Sequence, residues 1–433
     1  MTTALSMSDE RALLWARGLL LGVFVTMLIS TTLAIVVEFA TYAVFASAPV
    51  LRNRIVAVPR HPVMVAFLVF IVVIVANMFH GPASWFEALT ALEGWRRALL
   101  MPLALAVFDD EDSKRLALKT LLAMCLVGVL GSFVTADLAI WLSEKMPPGI
   151  VFRNYTSQGL TFTIAMIAAI AAVMRPDTFA GDRILGNRLA MAAMAALMAF
   201  DIVFILPGRS AYVAVLVMGV VTVALLARGS WRMKAVAGTA ILVTVGLLFA
   251  ASPQIWNRFA QGFEEIATVD SAPVGSSFGQ RVVMWRNTAK MIADHPVFGV
   301  GTGGFRDGYR PYIQGDTGWQ NFETGDPHNQ FMKFQGEQGI FGLAAVLFFI
   351  FRVITCPGPA PYRQLAVAIM ISWCATSLAN AHFSTFVEGR LLFFWLGVLL
   401  AGPGQETSQK PQSAYDAAAS RVGQDALREP AAE

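Results

Sequence analysis

Apolar runs long enough to cross a lipid bilayer recur along most of the chain, and they constrain its fold more than any other feature. A transmembrane helix needs about 20 mostly apolar residues. The first run, Ala12 to Phe45, is long enough for two helices joined by a tight turn near Ser30-Thr31-Thr32. Ten further runs follow, at 63–79, 97–108, 115–136, 151–174, 189–206, 210–227, 234–251, 337–355, 364–381 and 388–402. The sequence therefore predicts an all-α polytopic membrane protein with about 12 transmembrane helices, in line with 56% hydrophobic and 14% charged residues.

The distribution of Lys and Arg between the short loops predicts the topology. One set of loops holds fourteen of these residues and the alternate set holds six. Because cytoplasmic loops are enriched in Lys and Arg, both termini are predicted to be cytoplasmic. The one long inter-span region then faces the opposite side. The predicted divisions are spans one to nine in 1–251, a large outer loop at 252–336, spans ten to twelve in 337–402, and a disordered cytoplasmic tail at 403–433.

Composition excludes several functions. No basic stripe is interleaved with stacking aromatic residues, so the sequence does not predict a nucleic-acid partner. Cys125, Cys356 and Cys374 lie in or beside predicted spans and have neither disulfide nor metal-site spacing. We interpret them as small buried hydrophobic residues. The outer loop is thus the region with enough polar chemistry for an active site.

The stretch Gly325-Asp326-Pro327-His328-Asn329-Gln330 is the first candidate for that chemistry. Asp326 is predicted to cap a helix and Pro327 to occupy its first turn. His328 would then be the second helical residue, where the positive end of the helix dipole lowers an imidazole pKa and attracts anions. The pattern predicts a neutral histidine base beside an anion site, at the mouth of a membrane helix.

The residues that follow fit the same unit. On an ideal helix His328, Gln335, Gly339 and Gly342 fall within about 60° of one face. Two glycines on this face would let another helix approach closely below the histidine. Asp326, Asn329 and Gln330 are the candidates for orienting or supporting the imidazole.

Arginines on the same predicted side are candidates for binding phosphate oxygens, because the guanidinium fork suits bidentate contacts. Arg209 follows Leu206-Pro207-Gly208 at the start of a span, and Arg281 and Arg286 bracket Trp285 on a predicted loop helix. For each one, a lipid-headgroup anchor or a salt bridge is the alternative interpretation. The further outer candidates are Arg153, Arg306, Arg310 and Arg390.

Other motifs predict structure rather than chemistry. The GxGxxG of Gly299–Gly304 has no βαβ unit around it, so we interpret it as a backbone turn. Asp110-Glu111-Asp112 has the DxD form of metal-dependent glycosyltransferases. Charge topology places it on the cytoplasmic face, so a solvated acidic loop is the better interpretation. Glu323, Asp326 and His328 permit a divalent metal by spacing, but no second motif supports one, and no metal is predicted.

The remaining candidates have either a structural role or no assigned role. His295-Pro296 is predicted to end the loop helix, because Pro disfavours helix at the residue before it. Glu38 and Asp201 lie within spans, where ionisable residues are functional candidates by default. His382, near an outer helix end, is unassigned.

The spacing around His328 resembles the signature of the bacterial O-antigen ligase family: His, then Asn, Ser or Gln, nine residues, Gly, two residues, and Gly, Thr or Tyr. His328-Asn329, Gly339 and Gly342 match every fixed position. The stretch from Gly279-Gln280-Arg281 to Phe298-Gly299-Val300-Gly301 also resembles the wider ligase and polymerase superfamily.

This resemblance implies a function and a fold. Such enzymes transfer an O-antigen glycan from undecaprenyl diphosphate to the lipid A–core oligosaccharide, on the periplasmic face of the bacterial inner membrane. The implied fold is that of membrane glycosyltransferases (GT-C-like), working without cofactor, metal or nucleotide. The family's base corresponds to His328, and its essential arginines correspond to Arg281 and Arg209. The expected reaction is an inverting transfer in which the arginines, with Arg286, hold the donor diphosphate.

Three other activities remain open at this point. An O-antigen polymerase or a protein O-oligosaccharyltransferase would use the same lipid-diphosphate donor with a different acceptor. A lipid-linked glycan transporter is less favoured, because it predicts mid-membrane charges and repeated halves. The charges here collect instead at one predicted face.

Overall fold

The protein is described by a computed structural model that covers most of residues 7–402. The residues left out of this range are 145, 228–230, 233–237, 240–242, 244–245, 247–249, 251–252, 272–274 and 315–317. Most of the predicted span at 234–251 and the whole predicted tail at 403–433 lie outside the described residues. Within the described ranges the fold is all-helical, without a β-strand.

Sixteen α-helices are assigned in the described residues. In chain order they are α1 Met7–Ile29, α2 Thr31–Ser47, α3 Pro49–Ala57, α4 Met64–Ala76, α5 Trp85–Gly94, α6 Leu100–Val107, α7 Glu111–Asp137, α8 Tyr155–Met174, α9 Arg188–Phe204, α10 Arg209–Leu226, α11 Pro253–Ala267, α12 Ser277–Asp294, α13 Phe305–Tyr309, α14 Gln330–Thr355, α15 Tyr362–Thr376 and α16 Phe386–Leu400.

Most predicted spans correspond to these helices within a few residues. The predicted turn between the first two is confirmed: Ser30 precedes α2 and its side chain accepts a hydrogen bond from Leu33 N. The predicted end of the loop helix at His295 is also confirmed, since α12 ends at Asp294. The short helices α3 and α5 were not predicted. A capping box formed by Ser84 and Glu87 starts α5.

Five helices in the described part of the chain are long and apolar enough to cross a membrane. They lie at Ser8–Ile29, Glu111–Asp137, Tyr155–Met174, Arg209–Leu226 and Gln330–Thr355. The pair Thr31–Ser47 and Pro49–Arg60, bent by 95°, makes six if it is counted as one span. The protein is therefore a polytopic membrane protein, while twelve spans and a GT-C-like architecture stay predictions.

Helix α16 occupies the centre of the bundle. Every residue from Val387 to Leu400 is buried, and the helix packs against α1, α6, α7, α8 and α15. Its Arg390 forms a buried ion pair with Glu38 of α2, with Arg390 Nη2 2.8 Å from Glu38 Oε2. Tyr42 donates a hydrogen bond of 2.6 Å to the other oxygen of Glu38. Glu38 and Arg390, both candidates for function in the sequence, are thus satisfied structural partners.

The region between α11 and α14 has a small core of its own and is joined to α14 by the glycine-rich turn at Gly299–Gly304. Val300 N donates to Gly336 O and Gly301 N donates to Glu337 O, both at 2.8 Å. The interpretation of this GxGxxG as a backbone turn is confirmed. The turn fixes the first half of α14 to the connecting region.

The helical backbone of α14 is interrupted at Gly339, where φ is 61° and ψ is −155°. A Cβ atom at this residue would lie 2.1 Å from the carbonyl oxygen of Val297. A Cβ atom at Gly342 would lie 2.4 Å from Gln338 Cβ and 2.8 Å from Phe334 O, in the turn before the break. The prediction that these two glycines admit another helix is therefore wrong. They permit the break and its contact with the loop after α12.

Candidate active site

A cavity of about 410 Å³ opens between the first turns of α8 and α10, the end of α15, and helices α11 and α12. Its polar lining residues come from all five of these regions: Tyr155, Thr156, Arg209, Ser210, Glu265, Ser277, Arg281, Thr376 and Asn380. A second cavity of similar volume lies beside α2 and α3, lined largely by apolar side chains such as Phe45 and Leu103. The first cavity is the candidate site, because its polar groups converge from distant parts of the chain.

Arg209 and Arg281 meet over one aromatic ring in this cavity. The guanidinium carbon of Arg209 lies 5.5 Å from the ring centroid of Phe278, and that of Arg281 lies 5.8 Å from it. Phe278 and Arg281 are three residues apart on α12 and so share a helix face. Arg209 comes from the first residue of α10. Two positively charged side chains from separate helices therefore contact the same ring.

The positive charge of the cavity is only partly neutralised. Glu265 Oε1 lies 3.8 Å from Arg209 Nη2, beyond hydrogen-bond distance, and Glu265 Oε2 accepts from Phe278 N at 2.8 Å. One carboxylate thus faces two guanidinium groups.

One nitrogen of the Arg281 side chain has no hydrogen-bond partner in the described structure. Its Nη1 donates to Ser277 O at 3.3 Å, but its buried Nε has no hydrogen-bond partner in the described structure. Burial lowers the pKa of Arg281, and the charge of Arg209 acts in the same direction. An anion in the cavity would reduce the repulsion between the two guanidinium groups.

His328 lies in a turn immediately before α14. Its backbone has a φ of 51°, in the left-handed region, and its N–H donates to Asp326 Oδ1 at 2.7 Å. The preceding carbonyl, that of Pro327, accepts from Trp285 Nε1 of α12 at 2.9 Å. The turn is therefore held by an Asp side chain on one side and by α12 on the other.

The helix begins later than predicted. Asn329 is the N-cap, its Oδ1 accepting from the backbone N–H groups of Phe331 and Met332 at 3.1 Å. The predicted start at Asp326, with His328 inside the first turn, is wrong because Asp326 uses its carboxylate in the turn while Asn329 caps the helix. His328 thus lies outside the helix, where its side chain is exposed.

The electrostatic surroundings of His328 favour a neutral ring. Partial desolvation by the surrounding chain lowers the pKa of His328, and the positive charges of Arg281 and Lys333 lower this pKa further. The Asp326 carboxylate acts in the opposite direction. His328 is therefore within electrostatic reach of Arg281, which lines the cavity. A neutral imidazole can accept a proton at neutral pH.

Comparison with known protein families matches residues 193–347 to the family described as O-antigen ligase. This segment contains Arg209, Arg281 and His328. This match covers less than half of the chain. The resemblance based on His328, Gly339 and Gly342 is thereby confirmed. A search of curated proteins finds no match to the chain.

The match supports a membrane transferase of the O-antigen ligase or polymerase type in general terms. A lipid-linked polysaccharide donor and a lipid acceptor follow in general terms from the family.

Gln330 connects the start of α14 to the loop between α15 and α16. Its Oε1 accepts from Phe383 N at 3.0 Å and from Ser384 N at 3.2 Å. Its backbone N–H donates to Ser377 O and Asn380 O. Neither Gln330 nor Asn329 makes a recorded hydrogen bond to the His328 ring within the described structure. Their contacts position the backbone that carries it.

Arg286 lies away from the cavity of the ligase domain. It forms a bidentate ion pair with Asp270, at 2.5 and 3.1 Å, in which both side chains are more than half exposed. Five residues separate it from Arg281, which rotates it by about 140° on an α-helix. The structure does not bring Arg286 together with Arg209 and Arg281, so we withdraw it as a diphosphate ligand.

Two other outer arginines, Arg310 and Arg153, are engaged elsewhere. Arg310 is paired with Glu323, with Nε 2.7 Å from Oε1, and Arg153 lies over the Phe386 ring. The pairing of Glu323 removes it from the metal site that its spacing to Asp326 and His328 would permit. In the described residues no group of three or more His, Cys, Asp or Glu side chains is arranged to hold a metal ion.

Sequence reasoning missed two residues of the cavity, Phe278 and Glu265. The i, i+3 spacing of Phe278 and Arg281 was a signal for the first. No sequence signal brings Glu265 to the cavity, because it reaches the cavity through tertiary packing. His382 is buried, and its imidazole interacts electrostatically with His328, Asp326 and Arg281.

Proposed function

We propose that the protein is an O-antigen ligase that transfers a glycan from undecaprenyl diphosphate to the lipid A–core oligosaccharide of lipopolysaccharide. The observation that carries this proposal is the family match over 193–347, which contains both cavity arginines and His328. The proposed location is the bacterial inner membrane, with the site facing the periplasm and both termini cytoplasmic. Distribution of Lys and Arg in the sequence supports this orientation.

Arg209 and Arg281 are the proposed ligands of the donor diphosphate. Their two guanidinium groups lie over Phe278, and among the described residues only the Glu265 carboxylate lies close enough to Arg209 to form an ion pair. Arg281 lines the cavity, and its guanidinium group is the proposed donor to a phosphate oxygen. Interactions of this kind strengthen as negative charge develops on the leaving diphosphate, and they would stabilise the transition state more than the bound substrate.

His328 is the proposed general base. Its neutral ring takes the proton of an acceptor sugar hydroxyl while that oxygen attacks the anomeric carbon of the donor. The bond from this carbon to the diphosphate oxygen breaks, and its electron pair leaves with undecaprenyl diphosphate. The proton remains on His328 until it passes to solvent, which the exposed ring contacts. Undecaprenyl diphosphate is stable as an anion and is therefore a good leaving group. The reaction is proposed to need no metal and no general acid.

The apolar part of the cavity wall is the proposed path of the polyprenyl chain. Phe263 and Ile266 of α11 and Val213 of α10 line the cavity together with the arginines. The Phe263 side chain is largely exposed. An isoprenoid chain bound along this wall would cover apolar surface, and burial of such surface contributes about 25 cal/mol per Å².

The residues of the donor site do not determine which acceptor receives the glycan. An O-antigen polymerase and a protein O-oligosaccharyltransferase would use the same arginines and base. Expression in a ligase-deficient bacterium, scored separately for glycan on lipid A–core, glycan chain length and glycan on protein, distinguishes them. Restoration of core-linked glycan supports the ligase, whereas longer lipid-linked chains or glycosylated protein without core attachment would replace it with one of the alternatives.

A further inference from the structure

The cavity beside α2 and α3 shares no lining residue with the candidate active site. Its volume is about 410 Å³, within the range of about 300–1,000 Å³ that is typical of cavities for small ligands. Its walls come from α2, α3 and α6 and are apolar except at Tyr42 and Arg52. The Tyr42 hydroxyl already donates to Glu38. Among the described lining residues, Arg52 is thus the one charged group that a ligand would meet.

A sharp bend between α2 and α3 forms this cavity. Ala48 has an extended backbone, with φ −92° and ψ 120°, and Pro49 follows it as the first residue of α3. Because proline disfavours helical backbone at the residue before it, α2 ends here and the next helical segment leaves at 95°. Arg54 fixes α3 to the end of α6, since its Nη1 lies 3.0 Å from Ala106 O and 2.8 Å from Asp109 Oδ2. The groove between the three helices is therefore built into the fold.

Arg52 lies at the open side of the cavity. Together with Ile55 and Val56 it has the i, i+3, i+4 spacing of one helix face, and Val56 is 75% exposed. Arg52 Nη1 donates to Ala46 O in the last turn of α2 at 2.8 Å, which holds the guanidinium beside the groove. Within the described part of the chain no carboxylate forms an ion pair with Arg52, whereas Arg54 is paired. The exposed Arg52 charge is available to an anion at the cavity mouth.

An apolar chain that ends in an anionic group matches this arrangement. The guanidinium fork suits phosphate oxygens, and the apolar walls suit a hydrocarbon chain. The chain alone gains little, because lipid tails are as apolar as the side chains that they would contact. Discrimination between lipids must therefore come from the charge of the headgroup.

The position of Arg52 in the chain indicates which lipid is available. Arg52, Arg54 and Arg60 belong to the loops that the distribution of Lys and Arg predicts to be cytoplasmic. Basic pockets between helices on that side of a membrane bind anionic headgroups.

We propose that the cavity between α2, α3 and α6 binds one anionic phospholipid, with an acyl chain in the groove and the phosphate group on Arg52. Neither the glycan donor nor the acceptor enters this inference. The proposed transfer reaction and the lipid site therefore stand or fall separately.

The test is native mass spectrometry of the full-length protein in detergent, which counts bound lipids and gives their dissociation constants. The probes are phosphatidylglycerol, phosphatidylcholine with the same acyl chains, and inorganic phosphate. The variants are Arg52→Gln, Arg52→Lys and Ala46→Phe, which places a ring in the mouth of the groove. Two exposed residues that do not line the cavity provide matched controls, Arg183→Gln in the loop after α8 and Ala43→Phe on α2.

The expected result is the loss of one tightly bound lipid relative to the wild type, since the arginines of the candidate active site also attract anions. Arg52→Gln should weaken the binding of one phosphatidylglycerol about fivefold or more and leave phosphatidylcholine binding unchanged. Arg52→Lys should keep most of the preference for phosphatidylglycerol, because the charge remains. Ala46→Phe should remove one lipid with either headgroup, and both controls should bind like the wild type.

Equal numbers of tightly bound phosphatidylglycerol in the wild type, Arg52→Gln and Ala46→Phe would overturn the inference. Competition by inorganic phosphate would assign the site to a free anion instead. A dimer that Ala46→Phe dissociates would assign the groove to a second copy of the chain. If Arg52→Gln melts early because it loses the bond to Ala46 O, the other variants decide. Loss of a lipid in Ala46→Phe but not in Ala43→Phe supports the site, and no such loss refutes it.

Discussion

Gly339→Ala is expected to be one of the most damaging single-methyl additions to this protein. Gly339 has φ 61° and ψ −155°, a region occupied almost only by glycine. Placing an L-residue there costs about 1–3 kcal/mol before any contact is considered. The new Cβ atom would lie 2.1 Å from Val297 O, so the loop would have to retreat by about 1 Å to reach an ordinary contact.

That retreat would disturb the hydrogen bonds between the loop after α12 and α14. Ile340 N donates to Pro296 O at 2.9 Å, and Val300 N donates to Gly336 O at 2.8 Å. Each such bond contributes about 1 kcal/mol. Backbone strain and weakened bonds together predict a loss of about 3–5 kcal/mol in the free energy of unfolding.

The assay is the thermal loss of the monodisperse peak of detergent-solubilised protein in size-exclusion chromatography. Gly339→Ala should melt about 5 °C or more below the wild type. Gly325→Ala is the matched control, because no heavy atom lies within 4 Å of its Cβ position and its φ is not left-handed. A melting temperature for Gly339→Ala equal to that of Gly325→Ala would refute the assigned role of the backbone break.

Three further predictions concern the site. Arg281→Lys keeps the charge but loses the guanidinium fork, so transfer should fall about 10- to 100-fold; a rate like that of the wild type would exclude Arg281 as a phosphate ligand. Arg286→Gln breaks only an exposed ion pair with Asp270, so transfer should stay within about twofold, and a large loss would return Arg286 to the site. The pH–rate profile should fall only below the ordinary histidine pKa of about 6.5, because crowding and nearby positive charge lower the pKa of His328. Lys333→Gln removes one of those charges and should move this acidic limb to higher pH; an unmoved or lowered limb would show that His328 is not the titrating base.

The sequence predicted the helices of this fold well where length and composition decide them. The turn at Ser30, most of the spans and the loop helix that carries Arg281 follow from apolar runs and from the residues that end these helices. The start of α14 could not be predicted the same way, because Asp326 and Asn329 are both good capping residues. Only the contacts of the folded chain, such as Trp285 Nε1 to Pro327 O, decide which one caps the helix.

The candidate site was predictable only in part, for a related reason. Arg209, Arg281 and His328 are recognisable from local motifs and from the family signature. The helical period separates Arg286 from Arg281 by about 140°. Helix geometry alone could therefore have predicted that Arg286 does not face the same cavity as Arg281. The position of His382 could not be predicted from the sequence, because it depends on hydrogen bonds between Gln330 and a loop more than 50 residues further along the chain.

Transfer by purified protein is the most direct test of the proposed function. Wild-type protein and His328→Ala, reconstituted side by side, would receive undecaprenyl-diphosphate-linked glycan and lipid A–core with a chelator present. The wild type is predicted to form core-linked glycan. His328→Ala should be slower by about 10²- to 10⁴-fold, with an unchanged melting temperature. Core-linked glycan formed by His328→Ala at the wild-type rate, or no product from the wild type until a metal ion is added, would contradict the account.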